Sequence, residues 1–528
     1  MVESPESRSW FRRLALPVRI TVIVVVTLLI LGGGYWVYLE ASHRAAAKEL
    51  ALHTCGPGVA RIDGQCIGVT DGSVHLIPDL ADVLDKIRQE NAEVDRSGRS
   101  AVSVVHLLAL PNPAANNTLA VTLRHELEGA YLAQRVANGS KSSADEPLLR
   151  LLVANDGDRS QHWHQVAAAV VGKVNGPERV VAAIASGTTL TGRQEAIGTL
   201  TDQGIPVIAS RLTGDSLIPT DHASPTQGLA PVQGLVRLPP SNRDQATAVV
   251  TYLKNKSGIT RALLVQSIDP EDGYSKSLGE AFQATFPDDT HTVLNPVELY
   301  NPRLGGVPAT MKGMLFSICE QKPDVVFFAG RSPELQALVI ALPARPCPDF
   351  RINIVTADGA VHFATTVARD DAELRKGMNA NMSVKYTALA HPGSWQESAG
   401  SFASGPRDFF QSACEKCFRT LFPGEFPGQP LNDGGAIIGH DAIAIAIAAI
   451  RTREGTNDTP SLIIQEFNRM HGPRAVPGAS GWISLDGTGD PINRAMPILE
   501  VKPDGAVDFV QLSSSLSSPC RPDVPALC

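Results

Sequence analysis

Three stretches hold residue types whose spacing could do chemistry. The first runs from Gly478 to Ile492, "GASGWISLDGTGDPI", with four glycines and the carboxylates Asp486 and Asp490. It is compatible with a calcium loop, a phosphate cradle or a tight turn. An EF-hand loop starting at Asp486 needs Gly at 491 and Glu at 497, where this chain has Pro491 and Pro497. No Lys-Ser/Thr pair follows to make a phosphate loop. Backbone geometry is the expected role, with "WISL" a short strand and "DGTGD" a turn. The second stretch is "SGTTLTG", which puts Ser186, Thr188 and Thr189 just after the apolar run "RVVAAIAS". Hydroxyls and backbone N–H groups at a strand end can hold a carboxylate, or they can cap the helix that follows. The third is Cys414-Glu-Lys-Cys417, readable as a local disulfide, a redox motif or half a zinc site whose second CxxC is missing.

Enzyme signatures are scarce. No GxSxG, HExxH, GxxxxGK[ST] or GxGxxG run stands after a strand. "HWH" at 162–164 lies in a helical pattern, where adjacent positions face apart, so surface and packing roles are expected rather than metal binding. The reading is a protein that holds something, with no catalytic residue, metal or cofactor assigned.

The elements that must position these residues follow a rhythm. "AVSVVHLLAL", "LLRLLVAND", "RVVAAIAS" and "IPVIAS" read as buried strands separated by amphipathic helices. After Pro239-Pro240 the rhythm restarts with "RALLVQSID", "DVVFFAG" and "RINIVTADG". Short apolar runs alternating with helices mean parallel sheets covered on both faces. Two such α/β lobes are expected, each open to ligands at the carboxyl ends of its strands. A chain of 528 residues is long enough for both. A formal net charge of -8 with no long basic block argues against a nucleic-acid partner.

One segment is not globular. From Ile20 to Val37 the chain reads "ITVIVVVTLLILGGGYWV", without charge, near the length that spans a bilayer as a helix. Arg12, Arg13 and Arg19 precede it and Tyr35, Trp36 and Tyr38 close it, which places the N-terminus in the cytoplasm and the bulk outside. A single-pass cell-membrane protein with an uncleaved anchor is expected; a cleaved signal peptide is the other reading. All eight cysteines follow this segment, in agreement with export. Their spacing suggests local pairs: Cys55 with Cys66, Cys319 with Cys347, Cys414 with Cys417, and Cys520 with Cys528.

Several motifs occur in order: "HELEGAYLAQRVAN", "LVRLPPSNRDQATAVVTYL", "GYSKSLGEAF", "DVVFFAGRSPELQAL" and "ASGWISLDGTGDP". Together they resemble the type I periplasmic binding proteins, which include branched-chain amino acid receptors of ABC transporters and receptor ligand-binding regions. The resemblance covers roughly residues 100–510. It implies two Rossmann-like lobes with parallel sheets, joined by a hinge that the chain crosses three times. The expected layout is a cytoplasmic tail at 1–19, an anchor at 20–38 and a membrane-proximal segment at 39–99. Lobe 1 then takes 100–237 and 391–484, lobe 2 takes 238–390 and 485–512, and a tail runs over 513–528.

The resemblance also implies a ligand set. It points to Ser186, Thr188 and Thr189 for a carboxylate, with Ser210 and Thr213 in the loop after the next strand. Arg211 departs from the small apolar residue usual in amino acid receptors. In the second lobe Tyr274 matches a cleft tyrosine, Glu334 stands where such receptors meet a ligand ammonium, and Asp358 ends the following strand. The implied function is capture of a small, amino acid-like polar solute between the lobes, for transport or sensing. Residues 1–19 are too few to fold as a signalling domain, so an ABC permease or another membrane partner is expected to receive the solute or signal. A cell-surface scaffold on the same fold and an extracellular enzyme are the alternatives.

Overall fold

In this computed structural model the described residues are 15, 17 and 20 and, from 54 to 528, all but 113–117, 140–145, 218–231, 369–370, 398–417, 453–454, 457 and 517. The expected anchor and the Cys414–Cys417 pair lie outside them, residue 20 of the anchor excepted. Among the described residues no helix is long and apolar enough to cross a membrane.

The first sheet contains β1 (Thr54–Gly56), β2 (Val59–Ile62), β3 (Gln65–Thr70), β4 (Ala101–Leu108), β5 (Leu148–Asn155), β6 (Val180–Ala185), β7 (Val207–Ala209) and β8 (Leu235–Arg237). Its order is β1-β2-β3-β5-β4-β6-β7-β8. From β5 to β8 the neighbours are parallel, and β3 joins β5 antiparallel. The wholly buried runs of β4 and β6 are what a sheet covered on both faces requires. Residues 54–97, expected as a membrane-proximal segment, extend this sheet by the hairpin strands and pack the helix Ala81–Ser97 on the same core. The disulfide Cys55–Cys66 staples those hairpins, and Cys319–Cys347 and Cys520–Cys528 also form as the spacing suggested.

The second sheet contains β9 (Arg261–Ser267), β10 (Thr292–Val293), β11 (Glu298–Tyr300), β12 (Val325–Ala329), β13 (Ile352–Thr356) and β14 (Met382–Thr387). These are parallel to one another. After β14 the chain returns to the first lobe. There the helix Gly435–Ile450 crosses the helix Thr118–Asn138, and the hairpin β15 (Val476–Gly478) and β16 (Gly481–Ile483) follows. It then re-enters the second sheet as β17 (Met496–Val501) and β18 (Val507–Ser513), antiparallel beside β14. The chain thus passes between the sheets after β8, after β14 and after β16.

The two helices of the first lobe meet at glycines. A Cβ on Gly439 would lie 1.8 Å from the Glu126 carbonyl oxygen, and one on Gly129 would lie 1.8 Å from that of Ala436. No side chain fits there, so the helices approach backbone to backbone.

The glycine-rich stretch is spent on the last crossing. Asp441 accepts from the backbone N–H of Ala479 at 2.5 Å and of Ser480 at 2.8 Å, holding the β15–β16 turn. Asp486 accepts from the N–H groups of Thr488 and Asp490 within its own turn. Asp490 pairs with Arg237 Nε at 2.8 Å, tying this crossing to the one that leaves β8.

Candidate ligand-binding cleft

The carboxyl ends of the two sheets face each other across a cavity of about 770 Å³. The first lobe lines it with Thr188, Thr189, Arg211 and Thr213, and the second with Tyr274, Arg331, Asp358 and His362. A few apolar side chains, among them Leu119 and Val361, complete the wall. The lobes touch where Arg331 Nη2 donates to the Thr189 carbonyl at 3.4 Å.

The first wall rests on a buried carboxylate. Glu126 projects from the helix Thr118–Asn138 and is fully shielded from water. Its Oε1 takes His106 Nε2 at 3.0 Å and the Ser210 hydroxyl at 2.6 Å; its Oε2 takes the Ser186 hydroxyl at 2.5 Å. Burial pushes this carboxyl up, but the His106 hydrogen bond and charge, with Arg211 and Ser186, hold it below its ordinary value. Arg211 stands in front, its Nε 4.0 Å from Glu126 Oε2 and its Nη1 buried without a hydrogen-bond partner. Arg237 donates to the carbonyls of Thr213, Gly214 and Asp215, fixing the loop that presents Thr213.

The second wall is a bidentate ion pair. Arg331 gives Nε and Nη2 to the two oxygens of Asp272 at 2.9 and 2.6 Å and stacks 4.8 Å above the Tyr274 ring. Burial raises the Asp272 carboxyl, and the Arg331 charge and hydrogen bonds more than reverse this. The Tyr274 hydroxyl accepts from Gly359 N–H at 3.0 Å. Asp358 Oδ1 accepts from Gln245 at 2.9 Å and from Thr213 of the other wall at 3.2 Å. Burial raises the Asp358 carboxyl. His362 is pushed down to about 4 by burial and by the nearby charge of Arg211.

The structure therefore brings together Thr188, Thr189, Thr213, Tyr274 and Asp358 of the residues singled out from sequence. Ser186 and Ser210 sit at the expected strand ends but turn inward to Glu126, behind the wall. Glu334 stands in the first turn of the helix Ser332–Ala341 and lines an adjoining hollow with Asp269, Glu271 and Arg303, which meets the cleft at Arg331. Sequence reasoning missed Glu126, Arg331 and His362. Glu126 had a signal: it occupies the apolar stripe made by Leu119, Leu123, Leu127 and Ala130, where a carboxylate needs buried partners.

Two open α/β sheets with a polar cleft between their carboxyl ends define a two-lobed α/β fold. It is the fold of the type I periplasmic binding proteins, as solved structures make plain. A leucine-binding protein of Thermotoga maritima superposes with a TM-score of 0.54 at 19% identity, over 78% of this chain and 98% of the other. An ABC transporter substrate-binding protein of Desulfitobacterium hafniense, in complex with Leu, gives 0.56 at 16%, over 78% and 100%. A solute-binding protein of R. palustris, in complex with 4-hydroxybenzoate, gives 0.54 at 14%, over 78% and 97%. No family model and no curated protein matches the chain.

Proposed function

We propose that this protein captures a small polar solute bearing a carboxylate in the cleft between its lobes and releases it unchanged. The observation that carries the reading is the cavity of about 770 Å³ lined by polar groups from both sheets, a size suited to a small metabolite. Lobes joined by three chain passages suit hinge closure, in which ligand contacts to both walls favour the closed form. Structural neighbours that hold amino acids or an aromatic acid support the same reading.

The apolar, basic-flanked segment at 20–38 and the cysteines beyond it support an extracytoplasmic protein held to the membrane by that segment. An ABC permease or a membrane sensor is then the partner, for transport or for sensing. The test is thermal unfolding of the full chain with amino acids, small carboxylic acids, peptides and sugars. Binding to the native state raises the midpoint with ligand concentration. No shift with any solute class would remove the reading, and a solute recovered chemically altered would replace it with an enzyme.

A further inference from the structure

We propose that Arg211 seats the ligand's carboxylate and makes the cleft select acids over their uncharged counterparts. The inference rests on the solute-binding reading and narrows it to one contact. Arg211 follows β7 at its carboxyl end and is only 8% exposed, yet it lines the cavity. Its Nη1 has no hydrogen-bond partner. The carboxylate behind it, Glu126, is 4.0 Å away and already takes His106, Ser186 and Ser210. A buried guanidinium N–H at a cavity wall, left without an acceptor by the protein itself, is matched by an oxyanion from the ligand. Thr188 and Thr189 line the same wall and add polar groups for a second oxygen.

The other charged groups of the cleft are engaged where Arg211 is not. Asp272 is consumed by both donors of Arg331. Asp358 Oδ1 is taken by Gln245 and Thr213. Glu334, the carboxylate expected to meet an ammonium, lines an adjoining hollow that shares Arg159, Leu190 and Arg331 with the cleft. Arg331 lines the cleft as well but has Asp272 as its counter-ion. Apolar lining from Ala109, Leu119, Leu190 and Val361 suits the uncharged body of an acid.

Isothermal titration of the full chain in detergent tests this with matched probes: 4-methylpentanoate against 4-methylpentanamide, and 4-hydroxybenzoate against 4-hydroxybenzamide. At least one acid is expected to bind, and its amide to lose about 100-fold against it. Arg211→Gln is expected to weaken acid binding by about 100-fold, and Arg211→Lys to restore part of it. Should Arg211→Gln not fold, the acid–amide contrast on the natural protein decides alone. An amide that binds as tightly as its acid, or a folded Arg211→Gln with unchanged affinity, would overturn the inference while leaving solute binding intact. If none of the four probes binds, this inference fails, and the wider solute panel shows whether solute binding fails with it.

Discussion

The two walls of the cleft use arginine in opposite ways. In the second wall Arg331 is engaged: Asp272 takes two of its donors, Tyr274 takes its face, and the Thr189 carbonyl takes a further contact. In the first wall Arg211 is the more enclosed of the two but has a buried N–H without a partner, because the carboxylate behind it serves other donors. An arginine held by a bidentate carboxylate stiffens the wall it belongs to. One left partly unpaired at a cavity is a preorganised binding group, since its desolvation has been met by folding rather than by the ligand. The first wall therefore depends on Glu126 and the second on the Asp272–Arg331 pair.

The sharpest way to break this contrast is Glu126→Leu. It strips the acceptor from His106, Ser186 and Ser210 and the nearest counter-charge from Arg211. A loss of about 3–5 kcal/mol in urea denaturation is expected, with ligand binding lost as well. Asp272→Leu acts on the other wall by leaving Arg331 unpaired. It should cost about 2–4 kcal/mol by the same measurement. Gly439→Ala addresses the support of Glu126, since the added methyl meets its carbonyl. Overpacking there should cost about 1–3 kcal/mol, read as a lowered thermal midpoint.

A smaller effect concerns pH. His362 has its pKa pushed from 6.5 down to about 4 in the fold. The unfolded chain therefore takes up the proton first. Stability from this group is complete above pH 6.5 and declines as pH falls toward 4. Thermal midpoints measured across that window should fall less steeply in His362→Asn than in the natural protein. The smallest effect is expected from Glu334→Gln. Because Glu334 lines the adjoining hollow and not the cleft itself, carboxylate affinity measured by titration should change by less than about 0.5 kcal/mol. A large loss would move the ligand toward that hollow and dissolve the contrast between the walls.

The periodicity of apolar runs made the two sheets legible, because a strand buried on both faces leaves little room for polar residues. Strand ends were legible for the same reason, and Thr188, Thr189, Thr213 and Asp358 reach the cleft from them. Which way a strand-end side chain turns is a separate matter. Ser186 and Ser210 turn to a carboxylate brought from a helix 60 and 84 residues away in sequence. No local pattern encodes that meeting. Arg331 stood beside Glu334 in the motif "GRSPE", but its worth depends on Asp272, 59 residues earlier. The glycine-rich stretch shows the reverse case. Its carboxylates resembled ligands for a metal, and the fold spends Asp486 on its own turn and Asp490 on Arg237.

The central claim is that the cleft holds a small carboxylate on Arg211. Native mass spectrometry of the full chain, incubated with a panel of small acids, amines and amino acids, tests it most directly. The account predicts one-to-one adducts with acids of unchanged mass, absent from folded Arg211→Gln. Adducts formed only with amine-bearing solutes, or kept at equal occupancy by Arg211→Gln, would contradict it.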